Sequence, residues 1–189
     1  MINLYDDLIR EKTVSIDYNF VYDLFFSRGE DDYSIIDIFP HLIEDSNKFD
    51  QIDIFFRKAI EQKKDASRFD RYENCFVSLI EKLWTYNPTF ASVNLFTNIK
   101  KSYPAQKSKK EIRAFRSVSE NCFQLFRVDS LPLLHSITKI GTREIGDVFF
   151  LFCNARATIR LTGLNGCVWV DSSPEEVTFL INHSGLFLR

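Results

Sequence analysis

Cysteine and histidine, which catalysis and metal binding often use, are few and scattered in this sequence. The cysteines and histidines, which include no CxxC pair and no close Cys–His pair, are Cys75, Cys122, Cys153, Cys167, His41, His135 and His183. Structural zinc sites normally contain at least one close pair of ligands, so the spacing predicts no zinc site. With no export signal, we expect the thiols to be reduced and buried.

One group of residues has a spacing that suits a metal site. His41, Glu44 and Asp45 stand at positions i, i+3 and i+4, so a helix would place imidazole and carboxylates on one face. The same spacing is typical of a solvated helix face, and no second ligand pair accompanies it in the sequence. We therefore favour the solvated face and predict neither a metal nor a cofactor.

Nucleophilic and acid–base chemistry has equally little support. Cys122 or Cys153 could pair with His135, but both cysteines lie among phenylalanines, which favours inert buried thiols. The carboxylates of Glu175 and Glu176 follow Ser-Ser-Pro, where the first turn of a helix explains them. The sequence contains no phosphate-binding glycine loop. We expect a protein that is not an enzyme.

Charge is distributed very unevenly along the chain. Residues 1–56 hold 13 acidic and 4 basic side chains, a net charge of −9, whereas residues 57–127 hold 7 and 15, a net charge of +8. Residues 128–189 hold 6 acidic and 5 basic side chains, so the total of −2 conceals a dipolar chain. This asymmetry indicates charged partners, although folding can also bring the two segments together.

The acidic third contains the candidate partner-binding site. Its seven proposed residues are Asp31, Asp32, Asp37, Glu44, Asp45, Asp50 and Asp53. A negative surface of this kind suits a basic protein partner, because complementary charge raises the association rate. A purely solubilising surface is the alternative interpretation.

The basic segment 100–116 suggests an alternative function, nucleic-acid binding. Its cationic residues are Lys100, Lys101, Lys107, Lys109, Lys110, Arg113 and Arg116. Phosphates attract such side chains, and the interleaved Tyr103 and Phe115 suit stacking on bases. A solvated loop followed by a basic helix face explains the same residues, so we rank this function below binding of a protein.

Apolar spacing predicts helices through the first two-thirds of the chain. The clearest covers residues 66–86, where Tyr72, Phe76 and Leu79 recur at intervals of four and three. Further helices are predicted over 2–12, 17–29, 50–64, 88–101 and 109–127, with two short pieces around Pro40.

Strands are predicted after about residue 130. The segments DVFFLFC, ATIRL and CVWV read as buried strands, and Asn165-Gly166 suits a hairpin turn between the last two. Residues 174–183 fit either a further strand or a helix that begins after Ser173, and both readings stay open.

Together these elements predict an α+β fold in which a helical N-terminal two-thirds packs with a small antiparallel C-terminal sheet. We expect one domain over residues 1–189, helical over about 1–130 and β-rich over about 131–189, with a core built on the 19 phenylalanines. The longest apolar run has six residues, and the first residues are acidic where a signal peptide is basic. We therefore expect a cytoplasmic protein without membrane contact.

Three short motifs near the C-terminus match a known pattern. They are Ile140-Gly141, Gly166-Cys167-Val168 and Asn182-His183-Ser184. In this order they resemble the end of SUKH-type immunity domains, where an isoleucine-glycine step precedes strands, a Gly-x-Val strand and a hydrophobic strand leading to Asn-x-Ser. Those domains continue into a closing helix where this sequence ends, and the N-terminal region has no counterpart in them.

The resemblance and the lack of catalytic motifs imply a bacterial immunity protein of the contact-dependent growth inhibition type. Such a protein neutralises a cognate toxin domain, here expected to be a nuclease, by occluding its active site or substrate groove. We expect a monomer that forms a 1:1 complex with this toxin. Immunity domains bind through variable surfaces, so no residue roles transfer and the acidic residues remain the candidate site.

Overall fold

The fold is known from a computed structural model that describes residues 4–10, 16–27, 29, 32–45, 47, 67–96 and 109–189, with side chains from 113 in the last range. The described residues form six helices and seven strands. In chain order these are α1 (Leu4–Ile9), α2 (Tyr18–Phe26), β1 (Ser34–Asp37), α3 (Ser67–Tyr86), β2 (Thr89–Leu95), α4 (Lys109–Glu120), β3 (Leu125–Arg127), α5 (Leu131–Thr142), β4 (Gly146–Phe152), β5 (Ala157–Leu161), β6 (Asn165–Val170), α6 (Pro174–His183) and β7 (Phe187–Leu188).

One antiparallel sheet organises the described part of the chain, in the order β3-β2-β4-β5-β6-β1-β7. Strand β1 comes from the first third of the chain and lies between β6 and β7. The predicted fold, a small C-terminal sheet beside a helical N-terminal two-thirds, is therefore wrong. The sheet is large, and helices and strands are interspersed along the sequence.

Long-range pairing explains why the strands of the first two-thirds were predicted as helices. Strand β2, within the predicted helix 88–101, pairs with all seven residues of β4, from Thr89 opposite Phe152 to Leu95 opposite Gly146. Strand β1 lies within one of the short helical pieces predicted around Pro40, and β3 lies within the predicted helix 109–127. Pairing across the sheet overrides the weak local periodicity of such short segments.

Other local predictions are confirmed. Helix α3 matches the predicted helix 66–86 closely, and the Oδ1 atom of Asp17 caps α2 by accepting a 2.8 Å hydrogen bond from the backbone N–H of Phe20. The buried strands β4, β5 and β6 also form as expected. The predicted helix 50–64 lies outside the described residues.

The sheet has a hydrophobic core on each face, and β4 contributes to both. Val148, Phe150 and Phe152 pack in a cluster with helices α3 to α6, which we call the α3 face. Phe149 and Leu151 point to the opposite side, where α1 and α2 cover the sheet; this is the α2 face. Burial on both sides explains why β4 is apolar from Val148 to Phe152 and shows no polar alternation there.

Residues 174–183, for which the sequence allowed either a strand or a helix, form a helix. Pro174 occupies its first turn, Val177 and Ile181 face the core, and Gly185 follows with a φ of +78°. The hydrophobic stretch that leads to Asn182-His183-Ser184 is thus α6 rather than a strand.

Two glycines of the matched motifs serve close packing. A Cβ atom at Gly141, inside α5, would lie 2.7 Å from the Cβ of Leu161, so its absence lets α5 approach the sheet. Gly166 is paired with Leu161 as the second residue of β6. Asn165 and Gly166 are the first two residues of β6, so the prediction of a hairpin turn at these two residues is wrong. The turn lies over residues 162–164, where Gly163 adopts a φ of +136°.

Candidate functional site

The most concentrated polar cluster lies on the α2 face, under helix α2. The hydroxyl of Tyr18 donates to Oδ2 of Asp147 at 2.5 Å. From the neighbouring strand, Arg160 donates through Nε to both carboxylate oxygens at 2.9 Å and through Nη2 to Oδ2 at 2.5 Å. The side chain of Asp147 is only 4% exposed, so this is a nearly buried ion pair.

Aromatic rings surround the guanidinium of this cluster. The Cζ atom of Arg160 lies 4.8 Å from the ring centre of Phe26, 5.4 Å from that of Tyr22 and 5.8 Å from that of Phe149. Tyr22 and Phe26 come from α2, so cation–π contacts add to the hydrogen bonds between helix and sheet.

The geometry of the cluster favours structural support over catalysis. Burial and the hydrogen bond to Asp147 raise the pKa of Tyr18, so the phenol stays protonated at neutral pH. Both oxygens of Asp147 already accept hydrogen bonds, which leaves this carboxylate poorly placed to act as a base. The cluster fixes α2 to strands β4 and β5.

Other buried or half-buried ionisable groups are also engaged within the chain. Glu73 of α3 accepts two 2.6 Å hydrogen bonds from Arg143 and one of 3.0 Å from Thr142, which ties α3 to the end of α5. Further pairs between separate elements are Glu81 with His135, Asp6 with Arg156, and Asp37 with Arg189.

The cysteine–histidine pair that the sequence allowed does not form. His135 lies on α5, on the α3 face, and its Nε2 atom is 2.5 Å from Oε1 of Glu81. Cys153 belongs to the opposite core, so the sheet separates it from His135. The thiol of Cys122 donates instead to the carbonyl of Val93 at 3.5 Å.

Burial of Cys153 predicts a pH dependence of stability. Burial raises the pKa of this thiol to about 12, above its value in the unfolded chain. The stability that the buried neutral thiol contributes is complete below about pH 8.5 and is lost at higher pH. At higher pH the thiol loses its proton in the unfolded chain but stays protonated in the folded chain, which favours unfolding. We expect Cys153→Ala to reduce the fall in unfolding free energy between about pH 9 and pH 12 by about 1.4 kcal/mol per pH unit.

The measurement is urea unfolding of parent and variant across this pH range. A difference in unfolding free energy between parent and variant that stays constant with pH would contradict the prediction, because the substitution would then have removed only packing contacts. A difference that shrinks as pH rises is the expected result.

The metal arrangement that the spacing of His41, Glu44 and Asp45 allowed also does not form. Residues 42–45 have no helical structure, so the three side chains do not share a helix face. Within the residues that the structure describes, no group of three His, Cys, Asp or Glu side chains is placed to hold a metal ion.

The acidic candidates fall into three groups. Asp31, Asp50 and Asp53 lie outside the described residues. Asp37 forms an ion pair with Arg189 at the end of the chain and accepts a 3.0 Å hydrogen bond from the backbone N–H of Phe39. The three exposed candidates are Asp32, Glu44 and Asp45, and Asp45 also accepts a 3.0 Å hydrogen bond from the backbone N–H of Asn47.

Two large apolar side chains accompany acidic residues at the surface. Leu42, just before Glu44, is 71% exposed. Phe179 on the outer side of α6 is 60% exposed and stacks on the ring of His183, with centroids 5.0 Å apart. Glu175 and Glu176 are also exposed, in the first turn of this helix.

Contacts with α3 bring these two segments close together. The ring of Phe39 lies 6.2 Å from that of Tyr72, and a Cβ atom at Gly185 would lie 3.5 Å from Sγ of Cys75. Tyr72 and Cys75 are three residues apart on one helix, about 4.5 Å along its axis. The segment after β1 and the end of α6 therefore meet α3 within one turn of each other.

We give the name acidic surface to six exposed residues of these two segments: Leu42, Glu44 and Asp45 after β1, and Glu175, Glu176 and Phe179 on α6. Glu175 and Glu176 lie in the first turn of α6, which follows β6 at the end of the sheet where β1 begins, so they stand at the opposite end of β1 from Leu42. Sequence reasoning identified two of its carboxylates as binding residues but neither apolar side chain. For Phe179 a signal existed, since Val177 and Ile181 face the core in the helical reading and leave Phe179 outward. Leu42 lies outside any helix or strand, so no periodic pattern in the sequence predicts that it is exposed.

The basic segment is described only in part. Lys100, Lys101, Lys107 and Tyr103 lie outside the described residues, and Lys109 and Lys110 are described only as backbone of α4. Arg113 and Arg116 are exposed on α4. Phe115 is only 6% exposed and packs in the core on the α3 face, so the expectation that it stacks on bases is wrong.

Comparison with protein-family models, curated proteins and solved structures finds no match to this chain. No helix in the described parts of the chain combines the length and apolar composition needed to cross a membrane.

Proposed function

We propose that this chain is a cytoplasmic immunity protein that neutralises a cognate toxin by direct binding. Its partner is a basic toxin domain, of which a nuclease is the expected example. The acidic surface covers the toxin's active site or substrate groove in a 1:1 complex. The chain itself performs no catalysis.

The acidic surface is the observation that carries this proposal. Two large apolar side chains, Leu42 and Phe179, are mostly exposed there among carboxylates. Protein interfaces combine apolar anchors, which lose water on binding, with a polar rim that sets specificity. The buried carboxylates of Asp147 and Glu73 are held in ion pairs that join elements of the fold, so neither is placed to act in catalysis.

Charge complementarity supports a basic partner. The first 56 residues have a net charge of −9, and internal pairs with Arg156 and Arg189 offset two of the carboxylates, those of Asp6 and Asp37. Glu44, Glu175 and Glu176 are exposed at the surface. Their field would accelerate encounter with a cationic protein and raise the dependence of the rate on salt.

The proposal is tested by rescue of growth. The C-terminal domain of the polypeptide encoded beside this gene is induced in cells with and without the chain, and the two proteins are then tested for co-purification. We expect toxicity, rescue and a stable complex. A neighbour that is not toxic, or rescue without a physical complex, would contradict direct neutralisation.

A variant control separates the surface from the fold. Leu42→Ala with Phe179→Ala should abolish rescue, whereas Phe123→Ala, which removes an exposed ring elsewhere, should rescue like the parent. Equal rescue by both variants would assign the interface to another part of the molecule.

A further inference from the structure

The outer face of helix α6 carries an exposed aromatic ring between polar side chains. Val177 and Ile181 turn the opposite face of the helix to the core, so Phe179 points away from the protein. Residues three and four positions apart on a helix are neighbours on its surface. We call this outer face the α6 ridge and define it by four exposed residues: Glu175, Glu176, Phe179 and His183.

The ring of Phe179 has one covered face and one open face. The imidazole of His183, four positions later, stacks on it with centroids 5.0 Å apart and planes inclined by 21°. Side chains on a helix lean toward its N-terminus, so His183 covers the ring from the C-terminal side. The open face is then turned to the first turn of the helix, which carries Glu175 and Glu176. A flat group can therefore stack on the ring beside two carboxylates.

Hydrogen bonds from α3 anchor the end of α6 that carries the stacked pair. The Nζ atom of Lys82 donates to the backbone carbonyl of His183 at 3.1 Å and to Oγ of Ser184 at 3.0 Å. A cation at the C-terminal end of a helix is also favoured by the helix dipole. The ring of Phe179 is thus held in place before a partner arrives, which lowers the entropy lost on binding.

The carboxylates of Glu175 and Glu176 form no ion pair with another of the described residues. Acidic side chains in a first turn stabilise a helix through its dipole, so their position alone does not indicate a ligand. The dipole does not explain an outward phenylalanine one turn later, since phenylalanine forms helices less readily than leucine or glutamate. A partner that covers the ring gives this residue a role.

We propose that the α6 ridge binds an arginine side chain of the partner. The guanidinium lies flat on the open face of Phe179, and the field of Glu175 and Glu176 attracts it. The inference rests on the proposed function for the partner, a basic toxin domain, and adds the chemical group that this partner presents.

Charge and shape select arginine at the α6 ridge. Two carboxylates beside an aromatic face favour a cation, and a planar guanidinium stacks on a ring while its edge remains free to bond to carboxylates. The α2 face contains the same combination, where the guanidinium of Arg160 lies over the ring of Phe26 and donates to Asp147. The α6 ridge offers its ring and carboxylates to a guanidinium from outside the chain.

Two blocked tripeptides, Gly-Arg-Gly and Gly-Lys-Gly, test the site without the toxin. We expect the arginine peptide to shift the NMR resonances of the Phe179 ring in the full chain more than the lysine peptide does at equal concentration. E175Q/E176Q should reduce the shift. The control D23N/D129N, which removes two exposed carboxylates elsewhere, should not. An absent shift, an equal shift with lysine, or an unchanged shift in E175Q/E176Q would overturn the proposal.

Phe179→Leu distinguishes a cation on the ring from simple apolar contact in the toxin complex. Leucine keeps an apolar side chain and helix propensity but has no aromatic face, so this variant should bind the toxin domain about fivefold more weakly than the parent. Tyr86→Leu, which replaces another largely exposed ring, should bind like the parent.

The two experiments separate the arginine contact from the immunity function. Parental binding of the toxin domain by Phe179→Leu would overturn the arginine contact and leave the proposed function intact. A parent chain that responds to the arginine peptide but does not bind the toxin domain would reject the proposed function and support the α6 ridge as an arginine-binding site.

Discussion

Asp147→Ala is expected to lower the free energy of unfolding by about 3 to 5 kcal/mol, the largest effect on stability that we expect from a single substitution. The variant leaves the guanidinium of Arg160 in an aromatic enclosure without its carboxylate partner, and it removes the acceptor of the Tyr18 hydroxyl. Because the side chain of Arg160 retains partial contact with solvent, we expect a value at the lower end of this range.

A second variant separates loss of the ion pair from the cost of an unpaired charge. Adding Arg160→Met to Asp147→Ala removes the unpaired guanidinium and keeps an apolar chain under Phe26, so the double variant should be more stable than Asp147→Ala. Asp23→Ala, at an exposed carboxylate on α2, serves as the control and should change stability by less than about 0.5 kcal/mol.

Urea unfolding of these variants is the measurement. The account of the cluster as a structural clamp would be contradicted by an Asp147→Ala variant as stable as the Asp23→Ala control. It would also be contradicted by a double variant less stable than Asp147→Ala.

The second large effect is expected at the acidic surface. Leu42→Ala and Phe179→Ala should each weaken binding of the toxin domain by about 30-fold, since buried anchors at interface centres typically contribute about 2 kcal/mol. Both side chains are mostly exposed in the free chain, so we expect little loss of stability from either substitution. The change should appear mainly in the dissociation rate.

The carboxylates of the same surface should behave differently. Replacing Glu44, Glu175 and Glu176 by glutamine should slow association and reduce its salt dependence, with a smaller effect on dissociation. Asp37 is excluded from this set because its loss would break the pair with Arg189 and disturb the edge of the sheet. Surface plasmon resonance at several salt concentrations measures both rates.

Matched controls are exposed side chains outside the acidic surface. Phe123→Gly and R113A/R116A should bind the toxin domain with parental rates. If these variants lose affinity while Leu42→Ala and Phe179→Ala keep it, the toxin-binding surface has been assigned to the wrong part of the chain.

The elements that the sequence predicted well are those with strong local signals. Helix α3 has seven apolar positions on one face, and α2 has its cap at Asp17, so both form where local chemistry indicates. The apolar run at residues 148–152 indicated a buried element, and the strand signals that follow it in the sequence supported the correct prediction of a strand for β4.

The overall architecture depends on contacts that no local pattern contains. Strand β1 is four residues long and owes its conformation to pairing with β6 and β7, more than a hundred residues away. Helix α5 was missed because the region after residue 130 was taken as β-rich, although Pro132 and the buried Leu134, Ile137 and Ile140 suit a helix.

The sequence predicted that the candidate site is acidic, but it hardly predicted which of its residues are exposed. The excess of carboxylates before residue 57 identified Glu44 and Asp45, but Asp37 looked identical in the sequence and is engaged by Arg189. Whether a carboxylate has an internal partner depends on which distant strand the fold places beside it. Exposure of Leu42 likewise follows from the path of the chain after β1.

Titration of toxin activity with the purified chain tests the central claim most directly. If the chain occludes the toxin through the acidic surface, activity should fall linearly and end at a 1:1 ratio, and Leu42→Ala with Phe179→Ala should leave activity intact at the same concentrations. Persistent activity in the presence of excess parent chain, or equal inhibition by the double variant, would contradict the account.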